Sequence, residues 1–533
     1  MQELADRSAL EDFADVVPGV PRNLGELIVA SAERWGPRVA WRFGDGQTLT
    51  FGDVDRITRR VAMALKESGV KPGDRVGLLA RNTITFPATW LAIARLGAAT
   101  VPINVNYRLS DASHVVEHAD IAVLVVVDEF QGLAREIVAR APQPVILLSW
   151  EELLAHPEPV PGVLPVGLDE VKGEATCNIQ YTSGTTGLPK GCVLGQDYWL
   201  AIAWTLHEQF PQLNENDVML TAQPFHYIDP QWNVVSALYA GSELVILDKF
   251  HPSTFWRDVC RFGVTYLYCL GVMPTLMMKM PTDPAERDHK VRAIQCSAIP
   301  VDLHPDLEER WGVPWYEAFG MTETGADLFV DPGEHDELIG SGCLGRPRAH
   351  RDALVVDEEG APVSAGTIGQ LLIRGSGLMK EYFRNAEATE AALWRGWFRT
   401  GDLATVDGSG RIYYRGRTKD MIRRSGENIS AAELEQLLQR HPEVEMAAVV
   451  AVPDDLRGEE VLAYVVPADP VAPPATLMQE LARWSAEEVA YFKVPRYWRV
   501  VPEIPRTPSE RIAKSRLDHT TDSAWDSRAR RSL

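Results

Sequence analysis

Residues 181–191 read Tyr-Thr-Ser-Gly-Thr-Thr-Gly-Leu-Pro-Lys-Gly, eleven positions holding four Ser/Thr hydroxyls, three glycines and one lysine. The run before it, Cys177-Asn-Ile-Gln-Tyr181, reads as the end of a buried strand. A strand that opens into such a loop can wrap backbone N–H groups and hydroxyls around phosphate oxygens. Thr182, Ser183, Gly184, Thr185 and Thr186 are the cradle candidates, with Lys190 as a point charge. The four-residue gap between Gly and Gly-Lys-[Ser/Thr] of a Walker A loop is absent. The alternative, a flexible polar linker, does not account for the order of hydroxyls and glycines behind a strand.

Outward from the loop, strand-like and helical stretches alternate from residue 21 to about 340. Asp74-Arg-Val-Gly-Leu-Leu-Ala80, Ala99-Thr-Val-Pro-Ile103 and Ile121–Val127 predict strands, and Phe86–Leu96 an amphipathic helix. Ser242–Leu247 and Val264–Cys269 repeat the strand pattern. Alternation of this kind predicts parallel sheets covered by helices. Between about 340 and 416 the texture changes to short strands and Gly turns (Ala353-Leu-Val-Val-Asp357, Gly369–Gly375, Arg411–Tyr414), which predicts a small β subdomain. A helix over Ala431–Arg440, strands at Met446–Ala451 and Glu460–Val466, and a helix over Leu477–Val489 predict a compact α+β domain at the C-terminus. The expected fold class is therefore α/β, with two helix-covered, mostly parallel sheets, a small β subdomain and a mobile C-terminal α+β domain. The expected boundaries are an acidic arm (1–20), an N-terminal part (21–416), a hinge (417–420), a lid domain (421–517) and a tail (518–533).

Composition limits the partners. The 533 residues carry a formal net charge of −21, which argues against nucleic acid or a membrane surface as partner. The six cysteines include no C-x-x-C pair, so reduced thiols in the cytoplasm are expected rather than disulfides or a zinc site. No signal peptide is evident, and the aliphatic run Ile121–Val127 is too short to cross a bilayer.

The 181–191 loop resembles the phosphate-binding signature of the adenylate-forming superfamily: acyl-CoA synthetases, the adenylation domains of peptide synthetases, and luciferases. Further segments follow in that family's order. Tyr316-Glu-Ala-Phe-Gly-Met-Thr-Glu323 is similar to its Tyr-Gly-x-Thr-Glu motif, with Phe319 in the usual tyrosine position. The resemblance implies that Ala318, Phe319, Gly320, Met321 and Thr322 contact nucleotide, Thr322 at the α-phosphate, and that Glu323 is an oxygen ligand for Mg²⁺. Ser297, Ala298 and Ile299 occupy the adenine-contacting position, where many relatives carry a Gly-Gly-Ala type of run. Thr400-Gly-Asp402 implies a ribose-binding Asp402, and the triplet also suits a hairpin turn. In Gly416-Arg-Thr-Lys-Asp420, Arg417 would complete the ribose contact and Lys419 would be the hinge. Gly426, in Ser425–Ser430, would line the thiol tunnel after the lid swings. Pro224-Phe-His-Tyr227 implies an acid-binding His226 and Tyr227, the histidine also gating the thiol, with Trp232, Gly271 and Met273 completing a pocket for a small or aromatic acid.

One segment departs. The family's catalytic lysine lies in a Ser-Gly-Lys-x-x-Lys context, whereas this chain reads Pro505-Arg-Thr-Pro-Ser-Glu-Arg-Ile-Ala-Lys514. Aligned on Ser509 and Lys514, Glu510 replaces the glycine and Arg511 the lysine. Arginine keeps the charge but is bulkier and less pointlike. Phe250–Trp256 and Leu303–Val313, with this Glu-Arg-Ile variant, look most like carnitine- or crotonobetaine-CoA-ligase-like proteins within the family. The implied activity is adenylation of a small-molecule acid by ATP and Mg²⁺, then transfer to CoA. Lys190, Thr322, His226 and Arg511 would be the catalytic residues, in a protein for which a homodimer is the assembly considered. Three alternatives share the scaffold: a diazotase using nitrite and an aryl amine, an amide-forming ligase, and a nucleotide-binding protein without turnover.

Overall fold

The computed structural model describes residues 13–160, 163–182, 189–270, 272–424, 427–454, 457–471, 473–489, 491, 493–507 and 512–528. These form two compact units. One draws on the chain up to Thr182, on Lys190–Asp352 and on Ile373–Phe398; the other on Ala353–Leu372 and the chain from Arg399.

The first unit contains two sheets. One has the strand order Ile146–Ser149, Val123–Val126, Arg75–Leu79, Ala99–Pro102, Thr176–Thr182, Lys190–Gly195. All its pairs are parallel except the last, which is an antiparallel hairpin. Val123-Leu-Val-Val126 is buried throughout, as expected of a parallel strand covered on both faces. The other sheet is parallel from Trp315–Met321 through Ala293–Ser297, Tyr266–Leu270, Val218–Thr221 and Glu243–Ile246 to Val39–Phe43. Antiparallel strands Gly325–Phe329 and Thr48–Thr50 flank it. Helix Thr85–Arg95 is buried at every position. Its apolar residues cover the whole circumference, the pattern of a helix with no solvent face. Phe51–Glu67 instead begins at a capping box made by Thr50 and Asp53, and keeps a solvent face. Before residue 21, the ring of Phe13 is fully buried and lies 5.7 Å from that of Trp204.

A buried polar hub fixes the end of the second sheet. Glu308 Oε1 accepts the Trp315 N–H and bonds His335 Nε2, each at 2.7 Å. His304 Nε2 bonds the Trp315 carbonyl at 2.8 Å, and its Nδ1 accepts the Gly340 N–H. The donor atoms of His304, Glu308 and His335 lie close enough to hold a metal ion. However, both His304 nitrogens and Glu308 Oε1 are already used in hydrogen bonds, so the cluster is explained as structure. Burial pushes the Glu308 carboxyl up, but hydrogen bonds from His304, His335 and the Trp315 N–H outweigh it and bring it down to about 2. A depressed carboxyl stabilises the fold above its unfolded pKa and loses that contribution as pH falls toward its folded value. Glu308→Gln is therefore expected to destabilise the protein at pH 7 by about 3 kcal/mol. In thermal melts, the gap to wild type should narrow as pH is lowered below about 4.5.

In the second unit, Asp402–Val406 pairs antiparallel with Ile412–Arg417. The C-terminal sheet has the order Glu427–Ser430, Met421–Arg424, Gly458–Pro467, Tyr497–Val500, Trp525–Asp526, with Val444–Asp454 also paired to Gly458–Pro467. Helices Ala431–Gln439 and Pro474–Glu488 bury Leu434, Leu437 and Leu481 on the same core as Trp498. Residues 518–528 are packed as well. Trp525 and Asp526 pair with Trp498 and Tyr497, and Asp518 pairs with Arg499 at 2.8 Å. Among the described residues, no helix is long and apolar enough to cross a membrane.

Candidate active site

The Thr/Ser/Gly loop joins the two strands of the first unit's hairpin. Thr182 sits opposite Lys190 in register, leaving 183–189 as the connection. Ser183, Gly184, Thr185 and Thr186 lie outside the described residues, as do Gly271, Gly426 and Arg511. The stem is held by a segment not singled out from sequence, 379–383. Lys380 N and Phe383 N donate to the carbonyls of Val193 and Gly191, and Val193 N donates back to Glu381. This places Tyr382 against Cys192.

Tyr382 joins two of the predicted motifs. Its hydroxyl donates to Glu323 Oε1 at 2.9 Å, while Lys190 Nζ lies 4.8 Å from the centroid of its ring. Glu323 is further fixed at the backbone, where its carbonyl accepts Met379 N at 2.7 Å. Among the described residues no lysine or arginine pairs with the Glu323 side chain. A buried carboxylate, anchored through a neutral hydroxyl and not neutralised by a cation, suits a hard divalent ion such as Mg²⁺. The turn bearing Thr322 and Glu323 connects strands Trp315–Met321 and Gly325–Phe329. Gly320 is needed there, since a Cβ would stand 2.1 Å from the Gly325 carbonyl oxygen. Beneath the turn, Arg351 pairs with Asp327 at 2.9 Å and donates to the Thr324 carbonyl, all fully buried. Burial pushes Asp327 up to about 6 even beside that guanidinium.

The predicted adenine segment lies on the neighbouring strand. Ser297 Oγ donates to the Ala318 carbonyl at 2.6 Å and takes the Tyr268 hydroxyl at 2.7 Å. Ala298 adopts φ +64°, and Ala298 N and Ile299 N both donate to the Glu317 carboxylate, at 2.7 and 2.8 Å. Tyr268 and Glu317 were not predicted. Tyr268 stands in an unremarkable strand run, and Glu317 is hidden inside a motif whose other members carry the resemblance.

The predicted acid-binding residues start on helix Ile228–Ala240 and the loop before it. His226 is buried, its carbonyl accepting Gln180 Nε2 at 2.7 Å. Gln231, bonded to Asn178, holds the Phe225 and Tyr227 carbonyls. Among the described residues His226 Nε2 has no hydrogen-bond partner, and burial pushes the imidazole down to about 3, so it is neutral at physiological pH. Its ring lies 4.4 Å from that of Tyr227. Trp232 Nε1 donates to Tyr198 OH at 3.1 Å, and its ring meets Tyr268 edge-on at 6.1 Å. Met273 is buried, with Gln223 Nε2 3.7 Å from its sulfur. Trp232, Tyr268 and Ser297 thus link the predicted acid-binding and adenine-binding residues.

The second unit holds the predicted ribose pair. Asp402 and Arg417 face each other across the antiparallel strands and form an ion pair at 2.8 Å. Thr400-Gly-Asp402 is not a hairpin turn. It lies within strand Trp397–Val406, where Gly401 at φ +73° makes an irregular step and Thr400 Oγ1 accepts Asp402 N. The hairpin is made later, by Asp407, whose Oδ1 accepts Ser409 N and Arg411 N. The predicted hinge is a short 3₁₀ turn, Thr418–Asp420. Lys514 reaches Asp420 at 3.4 Å and Glu435 at 2.7 Å. Arg506 bridges Ile512, and Ala513 N donates to the Pro505 carbonyl, so both ends of the segment carrying Arg511 are anchored.

Residues 28–383 match the family described as AMP-binding enzyme, and 433–511 its C-terminal domain. The chain belongs to this family. The crotonobetaine/carnitine–CoA ligase of Proteus mirabilis (strain HI4320) is 30% identical over 493 residues, covering 89% of this chain and 94% of that one. That of Salmonella typhimurium (strain LT2) is 30% identical over 529 residues, covering 94% and 100%. Among solved structures, o-succinylbenzoate CoA synthetase from Bacillus subtilis, in complex with its acyl-adenylate intermediate, is 25% identical with a TM-score of 0.80. The match covers 92% of this chain and 97% of that one. The same synthetase with ATP and magnesium ion matches equally, at TM-score 0.80 and 25% identity, over 92% of this chain and 98% of that one. The α/β fold with its two parallel-rich sheets is that of this AMP-binding family.

Proposed function

We propose that this enzyme activates a carboxylic acid as its acyl-adenylate and then transfers the acyl group to coenzyme A. The observation that carries the reading is the Lys190–Tyr382–Glu323 arrangement, in which one ring joins the stem of a phosphate-type loop to a carboxylate suited to a cation. In the first step the acid's carboxylate oxygen attacks the α-phosphorus of ATP and pyrophosphate leaves. In the second, the CoA thiolate attacks the acyl carbon and AMP leaves. Glu323 would hold Mg²⁺, which when bound would neutralise phosphate charge.

In the assigned roles, Thr182–Thr186 and Lys190 hold the phosphates, and Thr322 the α-phosphate. Ser297–Ile299 and Ala318–Met321 hold the adenine, and Asp402 and Arg417 the ribose. Arg511 stands in for the lysine as the cation at the α-phosphate. Lys419 is the pivot that exchanges Arg511 for Gly426 between the half-reactions. His226, being neutral, orients the acid and shapes the thiol path without adding a charge. Trp232, Tyr227, Met273 and Gly271 bound the acid, and the rings of Tyr198 and Tyr268 behind Trp232 favour a short one. The small polar acid in the names of the Proteus and Salmonella ligases supports the same size class. All six cysteines are unbridged and five are buried, which fits a reducing cytoplasm.

The test is pyrophosphate release from Mg-ATP across short aliphatic and aromatic acids, followed by thioester detection on adding CoA. Release with a carboxylate and thioester with CoA are expected. Silence with every acid, or release only with nitrite and an aryl amine, would overturn the assignment.

A further inference from the structure

Glu317 is buried, and both its oxygens accept consecutive backbone N–H groups, from Ala298 at 2.7 Å and Ile299 at 2.8 Å. The backbone it holds is one an L-residue resists. Ala298 sits at φ +64°, where its Cβ crowds the backbone and the conformation costs about 1–2 kcal/mol. Glycine would take this conformation freely, but this chain has alanine, so something must offset the strain. The carboxylate does so, because in this turn two adjacent N–H groups converge on one anion. On either side the register is pinned by Ser297 Oγ on the Ala318 carbonyl and by the Tyr268 hydroxyl on Ser297.

Resting on the nucleotide assignment above, we propose that Glu317 is a positioning residue for ATP. Without touching the nucleotide, its ionised carboxylate clamps Ala298 and Ile299 in the left-handed turn against which the base packs. Burial pushes the Glu317 carboxyl up to about 8 against the pull of its two N–H partners. Protonation takes away one of the two accepting oxygens, so the clamp tightens as pH rises through that value. The titratable groups around it are Tyr316 on its own strand, Cys296 on the adjacent strand, and His304, His335 and Cys343, which line the small cavity beside it. Glu308 lies behind the histidines, bonded to His335. The Cys296 thiol is raised well above its usual range by burial, with Glu317 adding to it, and stays neutral throughout.

The experiment is calorimetric titration of ATP into the full chain, without acid substrate, from pH 6.5 to 9, for wild type, Glu317→Gln, Ala298→Gly and the double variant. Wild-type affinity should rise with pH through about 8. Glu317→Gln should lack that rise and bind about tenfold more weakly at pH 9, the order expected when an αL residue loses its support. Ala298→Gly should restore affinity in the Glu317→Gln background, because glycine needs no clamp. In turnover assays the loss should fall on KM for ATP and leave kcat within about twofold. If Glu317→Gln binds ATP as wild type does at every pH, or glycine gives no rescue, the clamp is wrong although the nucleotide site stands. If wild type binds no ATP, the nucleotide assignment itself fails. Should Glu317→Gln not fold, the pH dependence of Ala298→Gly alone decides. It should be flatter than that of wild type, and an equal slope refutes the clamp.

Discussion

Replacing Glu323 with glutamine is expected to slow pyrophosphate release by about 10²–10³-fold, the usual loss when a positioned charge at a transition state is removed. Glutamine keeps the size and can still accept from Tyr382, so the loss isolates the negative charge. Tyr382→Phe should act more mildly on the same quantity. It leaves the ring under Lys190 but removes the hydroxyl that orients Glu323 Oε1. Partners of this outer kind typically change metal affinity by about 10–100-fold, so Tyr382→Phe should raise the Mg²⁺ needed for half-maximal rate by that order. Both can be read without turnover from the thermal stabilisation given by ATP with and without Mg²⁺. Full activity in Glu323→Gln would remove Glu323 from the cation site, and the Tyr382 argument with it.

The second large effect concerns position 511. Arg511→Ala is expected to lower acyl-adenylate formation by about 10²–10³-fold. Thioester formation from a supplied acyl-adenylate should be spared, because the proposed cycle withdraws this loop before the thiol attacks. Arg511→Lys should keep most of the first half-reaction, since the charge persists and a lysine is less bulky. If alanine affects neither half-reaction, arginine is not doing the lysine's work. Equal loss in both halves would point to a folding defect of the C-terminal domain. Lys514, fixed between Asp420 and Glu435, gives the comparison. It follows the same segment, so Lys514→Met tests anchoring of the loop separately from its charge.

The fold was legible because its strands are local signals. Runs such as Leu124-Val-Val126, Ser242–Leu247 and Gly369–Gly375 are β-branched or aliphatic over the right length and bounded by breakers, and the structure has strands in each. Short-range motifs were equally readable as motifs, since phosphate loops and acidic turns are contiguous. Two kinds of information were not. Contacts between distant segments left no trace in spacing: Tyr382 meets Glu323 across 59 positions, and Lys514 meets the hinge-region Asp420 across 94. Backbone conformation was also hidden. Ala298 gives no sign of a left-handed turn, because alanine is not a residue that asks for one, and Gly401 suggested a hairpin where the strand only steps. The environment of His226 belongs to the same class, since its neutrality comes from burial under neighbours that pattern alone does not reveal.

The short strand Trp525–Asp526 is a working part of the C-terminal sheet. It covers the outer edge of Tyr497 and Trp498, and Arg496 and Arg499 hold it there through Asp526 and Asp518. A sheet edge left bare is a template on which another molecule can add its own strand. The strand therefore acts as a selvedge along that one edge of the C-terminal sheet, where a bare strand would otherwise invite a neighbour to knit on.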